Sequence, residues 1–398
     1  TITGTTGNDL LQGQQLSGTN NLINGLAGND TLLAATVADS LNGGAGNDSL
    51  SYGTGLTVNG AVAVGGDGND SFFAVGTTVL SSSYSGGSGN DLFNFTAATN
   101  ITSASVRGGE GADTVAFVAG GATLNGFVAT MGQGADLLNF TGSTFVSSLV
   151  YGGQENDTIQ VANSLNAATI GGNEGADRIQ IGTAVVTNTL IGAGKGHDVI
   201  TTTALAGTFA TTLATVVGGE GLDSINLIFG GGTATNLTIF GDVSEGGDST
   251  VGSADFIQLS AGTVEFGASS VYGGEGNDTI IVQGVFAGDN TAAAGKLFGN
   301  LGADSINIGA GGANSLLGGA GNDTLVGNFT FTAGGIGSSF NLNGGAGVDR
   351  YSFINADTAN LMTAGFTGAV ILGGVVGGFT DSGDNILLQS VASNTATF

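Results

Sequence analysis

The chain has 398 residues, 78 of them Gly, with no Cys, Pro or Trp, and carries a net charge of -26 from 31 Asp and Glu against 5 Lys and Arg. Without cysteine there is neither a disulfide framework nor a thiolate metal site, and the acidic balance excludes nucleic acid and anionic membrane surfaces, both of which attract basic patches. With 40% hydrophobic and only 9% charged residues, the chain is also unlike an acidic disordered tail.

From Thr1 onward a Gly-rich turn closing on an aspartate recurs, and the residue two positions later is always apolar. The anchors are Asp9, Asp30, Asp48, Asp70, Asp91, Asp113, Asp136, Asp157, Asp177, Asp198, Asp223, Asp255, Asp278, Asp304, Asp323, Asp349 and Asp384. The copies at Gly43 to Asp48, Gly65 to Asp70 and Gly86 to Asp91 are full Gly-Gly-x-Gly-Asn-Asp motifs, and Gly108 to Asp113 is close to them. A weaker run follows. Met131 replaces the first glycine before Asp136, Glu155 replaces the third before Asp157, the turn at Asp177 reads with one extra residue, and Lys195 and His197 flank Asp198. The motif returns at Gly218 to Asp223, Gly273 to Asp278, Asp304, Gly318 to Asp323 and Gly344 to Asp349. Long intervals precede Asp255, with the acidic stretch Asp242 to Asp248, and Asp384; both of these turns match the motif loosely. Most other spacings lie between 18 and 26 residues, and a period of this size means one structural unit stacked on copies of itself.

Each anchor opens an alternating stretch. Position +2 holds residues such as Leu32, Leu50, Phe72, Phe93, Ile159 and Ile280, and position +4 is mostly apolar, as at Phe95, Phe117, Phe140 and Val282. Period two marks a strand with one buried face, and strands recurring in one direction pair in parallel. Glycine and β-branched residues disfavour helix. The expected fold is therefore all-β: a right-handed parallel β-solenoid (β-roll or β-helix) of about 17 coils. Each coil reads as strand, variable far-side turn, strand and Gly-Asp turn. The solenoid is expected to run as one continuous domain over residues 1–398, with longer insertions near 228–254 and 355–383. The uncharged stretch Leu361 to Phe379 contains six Gly and is not expected to span a membrane. No signal peptide is legible at Thr1.

The turns point to multiple Ca²⁺ ions. Successive glycines let carbonyl oxygens converge, an aspartate adds a carboxylate, and calcium takes six to eight such oxygens at about 2.3–2.6 Å. Two stacked turns can close a shell that one cannot. Carboxylates stacked along one edge also repel unless counter-ions lie between them. The candidate metal residues are Asp30, Asp48, Asp70, Asp91, Asp113, Asp223, Asp278, Asp304, Asp323 and Asp349; Gly43, Gly65, Gly86, Gly108, Gly218, Gly273, Gly318 and Gly344; and Asn47, Asn69, Asn90, Asn277 and Asn322. The alternative role for these aspartates is to brace tight turns through their own hydrogen bonds. Affinities typical of extracellular calcium modules imply millimolar calcium and an extracellular location.

Gly43 to Ser51, Gly65 to Phe73, Gly86 to Phe93, Gly273 to Ile281 and Gly318 to Val326 resemble the repeats-in-toxin, or haemolysin-type, calcium-binding nonapeptide. That resemblance implies calcium-bound parallel β-rolls, type I secretion in an unfolded state, and folding on meeting extracellular calcium. The family's roll has a Gly-Asp turn on both sides, whereas here only one side keeps it. The wider coil is more similar to bacterial surface-layer and surface-fibril proteins built from such repeats. The expected function is an extracellular, calcium-binding structural protein: a repeat unit of a bacterial surface layer, sheath or fibril. Its expected partners are calcium, further copies of itself joined head-to-tail, and a cell-envelope polysaccharide anchor. The second reading is a calcium-folding module of a larger secreted adhesin, protease or toxin. No catalytic residues are expected: Lys195, His197 and Asp198 lack an orienting partner, and Arg178 and Arg350 follow different anchors.

Overall fold

The structure is a computed structural model. It describes residues 1–398 apart from 14–19, 37, 54–56, 75–77, 96–97, 118–120, 183–184, 203–209, 230–233, 243–251, 265, 268, 287–294, 311–314, 329–340, 355–369, 373–384 and 390–398. The anchor Asp384 and most of the interval before it lie outside the described residues. The chain divides into two compact units, Thr1–Ala184 with Gly192–Gly194, and Val185–Ile191 with Lys195–Phe398. Both are all-β, no helix occurs among the described residues, and every described strand pairing is parallel.

In the first unit each coil begins with a strand that enters the glycine corner, such as Ser40–Ala45, Val62–Asp67 or Ser83–Ser88. The corner then delivers a second strand, such as Ser49–Tyr52, Ser71–Ala74 or Leu92–Asn94. Register is strict: Leu32 pairs with Leu50, Leu50 with Phe72 and Phe72 with Phe93, so the +2 residues form one buried column. Columns of like side chains stack well. Phe72 lies on Phe93 with centroids 4.6 Å apart, Phe95 on Phe117 at 4.8 Å, and Phe117 on Phe140 at 5.2 Å. Each fully buried aromatic or aliphatic side chain contributes about 1.5–3 kcal/mol, so the columns hold the coils together over their full width.

The far side is more ordered than the expected variable turn. A third wall of short strands runs through the first unit at Thr57–Asn59, Thr78–Leu80, Asn100–Thr102, Thr123–Asn125, Thr144–Val146 and Leu165–Asn166. Its inward column is Val58, Val79, Ile101, Leu124, Phe145 and Leu165, all buried. A second corner leads from this wall to the next coil, with Ser81, Ser103 and Ser147 in the left-handed region at φ of 45°, 53° and 49°. Buried Ser148 completes one such corner: its hydroxyl accepts from Phe127 N–H at 3.1 Å and donates to the Leu124 carbonyl at 2.9 Å.

The second unit repeats the plan. Ile225, Ile257, Ile280, Ile306 and Leu325 form its +2 column, each buried. Far-side strands recur at Val185–Thr187, Ala210–Thr212, Ala234–Thr235 and Phe266–Gly267. Within the interval 228–254, Thr238–Phe240 keeps the regular register against Thr215–Val217. Among the described residues the turns number about 12 and not the 17 expected. Anchor aspartates count corners, whereas a turn also needs its far-side return, and several of those returns lie outside the described residues.

Candidate metal centre

The glycine corner is built from two kinds of glycine. In most corners the second and third take left-handed backbone: φ is 120° at Gly66 and 119° at Gly68, and equivalent positions stay left-handed when occupied by Leu26, Glu155, Asn173 or Asn300. The first glycine, five residues before the anchor, has no such φ. In the coils that keep it, it leaves space. A methyl carbon added at Gly218 would stand 2.5 Å from Asp223 Oδ2 and 2.6 Å from the Gly241 carbonyl oxygen; one added at Gly65 would stand 2.7 Å from the Gly86 carbonyl and closer still to Asp70 Oδ2. The same cradle recurs beside Gly25, Gly43, Gly86, Gly108, Gly172, Gly273, Gly299 and Gly318, each meeting its own anchor's Oδ2 and, in all but Gly273, a main-chain oxygen of the following coil.

The aspartates are buried in these corners, and their two oxygens have different fates. Oδ1 is bonded along the stack: Asp48 N–H donates to Asp70 Oδ1 at 2.7 Å, Asp70 N–H to Asp91 at 2.8 Å and Asp91 N–H to Asp113 at 2.8 Å. The ladder continues at Asp223 to Asp255, Asp278 to Asp304 and Asp304 to Asp323. Oδ2 faces the glycine cradle. At Asp30, Asp48, Asp70, Asp91, Asp113, Asp136, Asp157, Asp223, Asp255, Asp278, Asp304 and Asp323 it is buried and accepts no hydrogen bond. A carboxylate oxygen left so is costly unless it is neutralised.

The titration behaviour agrees. Burial, opposed by the ladder hydrogen bond, pushes Asp70, Asp91, Asp157, Asp223, Asp278 and Asp323 up to about 7, Asp113 and Asp304 to about 6, and Asp136 and Asp255 to about 8; Asp48 is also raised. Neighbouring anchors in the stack add to the rise, as Asp91 and Asp48 do for Asp70. No positively charged group offsets the rise at these anchors.

A hard divalent cation fits this donor set: a carboxylate oxygen with no partner, a main-chain carbonyl sharing its space, and no softer ligand. Among the described residues no group of three or more His, Cys, Asp or Glu gathers to hold a metal, so backbone oxygens must supply much of any shell, as calcium allows. The asparagines expected as ligands stand exposed in the same turns, each next to its buried anchor. Their Oδ1 atoms face outward and are already bonded: Asn69 N–H donates to Asn47 Oδ1 at 2.7 Å, Asn90 N–H to Asn69, Ala303 N–H to Asn277 and Val348 N–H to Asn322. His197 holds the same place, its Nδ1 accepting from Leu222 N–H at 3.0 Å, while Lys195 lies 3.9 Å from Glu220.

Three corners outside the expected set, at Asp136, Asp157 and Asp255, share the buried, unpartnered Oδ2. Their preserved +2 and +4 pattern was the available signal. The turn at Asp177 has no extra residue: Asn173 pairs with Gly153 and takes the second-glycine conformation at φ 87°, so Gly172 is the first glycine. Gly171 merely precedes the motif. At Asp9, Oδ2 is already engaged by Thr5 N–H and Oγ1. Met131 and Ala193 occupy the first-glycine position before Asp136 and Asp198 and put a side chain where other coils keep space.

Four segments, residues 1–15, 24–55, 265–282 and 308–329, match HemolysinCabind, the RTX calcium-binding nonapeptide repeat. Over those four segments the chain is similar to RTX calcium-binding repeats. Such repeats bind Ca²⁺ at multiple sites. The matched segments contain the RTX corners of Asp9, Asp30, Asp48, Asp278 and Asp323. Searches of curated proteins and of solved structures return no match. No helix among the described residues is long and apolar enough to cross a membrane.

Proposed function

We propose that this calcium-binding repeat module is an extracellular structural protein, a unit of a bacterial surface layer, sheath or fibril, whose right-handed coils are made rigid by calcium held at the corners. The observation that carries this reading is the row of buried Oδ2 atoms, each without a hydrogen-bond partner, most of them beside a glycine whose missing Cβ leaves room. The ions would be held by Asp30, Asp48, Asp70, Asp91, Asp113, Asp223, Asp278, Asp304, Asp323 and Asp349, with carbonyls beside the first glycines. Calcium supplies positive charge beside these anchors. The chain's own part is to fix Oδ1 through the ladder, so that Oδ2 is already aimed before an ion arrives.

A site present only in the folded chain makes ion binding part of folding free energy. Weak sites of this kind are filled only where calcium is abundant, which supports secretion, by a type I route, before folding. Self-association and attachment to cell-envelope polysaccharide complete the structural reading. The test is assembly of the purified chain in millimolar calcium, viewed by electron microscopy before and after EGTA. Ordered arrays that dissolve on chelation support the proposal; arrays indifferent to chelation contradict it. The second reading, a folding module of a larger adhesin, protease or toxin, gains if the calcium-folded chain stays monomeric.

A further inference from the structure

One corner departs from the repeat in a way that adds chemistry. Gly241 takes the first-glycine place: its N–H donates to the Tyr272 carbonyl at 2.8 Å, its carbonyl accepts from Gly219 N–H at 2.9 Å, and the space beside its Cα is shared by Asp255 Oδ2 and the Gly273 carbonyl oxygen. The next residue, at the second-glycine place, is Asp242. No other anchored coil has a carboxylate there. The corner resumes at Gly252 and reaches its anchor at Asp255, whose Oδ1 accepts from Asp223 N–H at 2.8 Å.

Asp242 is half-buried and its carboxylate turns back into the corner. Its Oδ2 accepts from Ser253 N–H at 3.3 Å and lies 3.2 Å from where a Gly274 Cβ would stand, and its own N–H donates to the Gly273 carbonyl at 3.1 Å. It thus flanks the same Gly273 that closes the Asp255 cradle. Asp255 Oδ2 is buried, has no hydrogen-bond partner and faces that cradle.

We propose that this corner is a separate class of divalent-cation site, holding its ion through two carboxylates, Asp242 and Asp255, together with the Gly273 carbonyl. It rests on the calcium reading of the ordinary corners and goes beyond it, because the second carboxylate comes from a position where the repeat has none. It also lies outside the four matched segments, apart from Gly273. Calcium affinity rises with the number of charged ligands and the rigidity of the site, so this site fills first as calcium rises.

The test is calcium titration of the full chain by calorimetry, with Asp242→Asn, Asp242→Glu and, as an ordinary corner, Asp48→Asn. Asp242→Asn keeps an oxygen for Ser253 N–H and removes one charge. Wild type is expected to show a tight class of sites ahead of the weaker ones. Asp242→Asn should weaken that class about ten-fold or more, as expected when a charged ligand is lost. Asp242→Glu should restore part of the affinity, and Asp48→Asn should leave the tight class intact. In parallel, terbium emission excited through tyrosine should lose a component in both Asp242→Asn and Tyr272→Phe, since Tyr272 adjoins Gly273. Unchanged titrations and emission in Asp242→Asn, while Asp48→Asn still removes a site, would overturn the proposal and leave the ordinary corners standing. No calcium uptake by wild type would overturn both.

Discussion

Gly65→Ala separates the spatial role of the first glycine from every other role of the corner. Gly65 does not use left-handed backbone, so alanine is conformationally acceptable there. The added carbon would stand 2.7 Å from both the Gly86 carbonyl oxygen and Asp70 Cγ, and nearer to Oδ2. Overpacking of this kind costs about 1–3 kcal/mol whatever the ionic conditions. Loss of an ion site adds a term that depends on calcium: each ion bound only by the folded state contributes about 1.4 kcal/mol per ten-fold rise in free calcium once the site is saturable. The variant should therefore lose about 1.4 kcal/mol per decade from the slope of stability against log calcium for each ion lost. The control is Gly66→Ala, which introduces strain at φ 120°. The assay is guanidinium unfolding, followed by circular dichroism, at several calcium concentrations. An unchanged calcium slope in Gly65→Ala, with only a constant offset, would refute the cradle as an ion site.

The pH response has a definite sign. The buried anchors have folded-state pKa values raised from 3.8 to about 6–8, so their protonated forms favour the fold. With calcium chelated, their contribution is complete below about pH 4 and is lost as pH rises through 6–8. Unfolding midpoints in EGTA should thus fall between pH 5 and pH 8, and millimolar calcium should flatten or reverse the trend. A midpoint that rises with pH in EGTA would contradict the burial argument. Asn69→Ala removes the acceptor of Asn90 N–H and should cost about 0.5–1.5 kcal/mol with no change in calcium slope; a change of slope would restore the asparagines to the ligand set. Phe117→Ala, which opens the stack between Phe95 and Phe140, should cost about 3–5 kcal/mol by the same unfolding assay. A loss under about 1 kcal/mol would mean that the aromatic column does not hold the coils.

The corners and their outgoing strands were legible because each is written in consecutive residues: glycines that fix the turn, an aspartate, then apolar side chains at +2 and +4. The third wall was not. Its strands are two or three residues long, and its corner adopts left-handed backbone at Ser81, Ser103, Ala167 and Asn188 with no invariant glycine to announce it. The fate of the asparagines was hidden for a different reason. Asn47 finds its partner one coil away, at Asn69 N–H, and nothing local distinguishes such a side chain from an ion ligand. The extra residue expected at Asp177 arises from pairing Gly171 with Gly172 as the motif glycines, although a left-handed asparagine substitutes for the second glycine. Sequence also treats the glycines of the motif as equivalent, whereas packing gives the first one a distinct role, which is to leave room beside Oδ2.

That room can be inspected directly. A high-resolution crystal structure grown in millimolar calcium, with anomalous data to identify the metal, should place an ion in contact with Oδ2 of Asp48, Asp70 and Asp91. Ordered water at all three positions, with no anomalous signal in fully folded coils, would contradict the view that divalent cations neutralise the buried row.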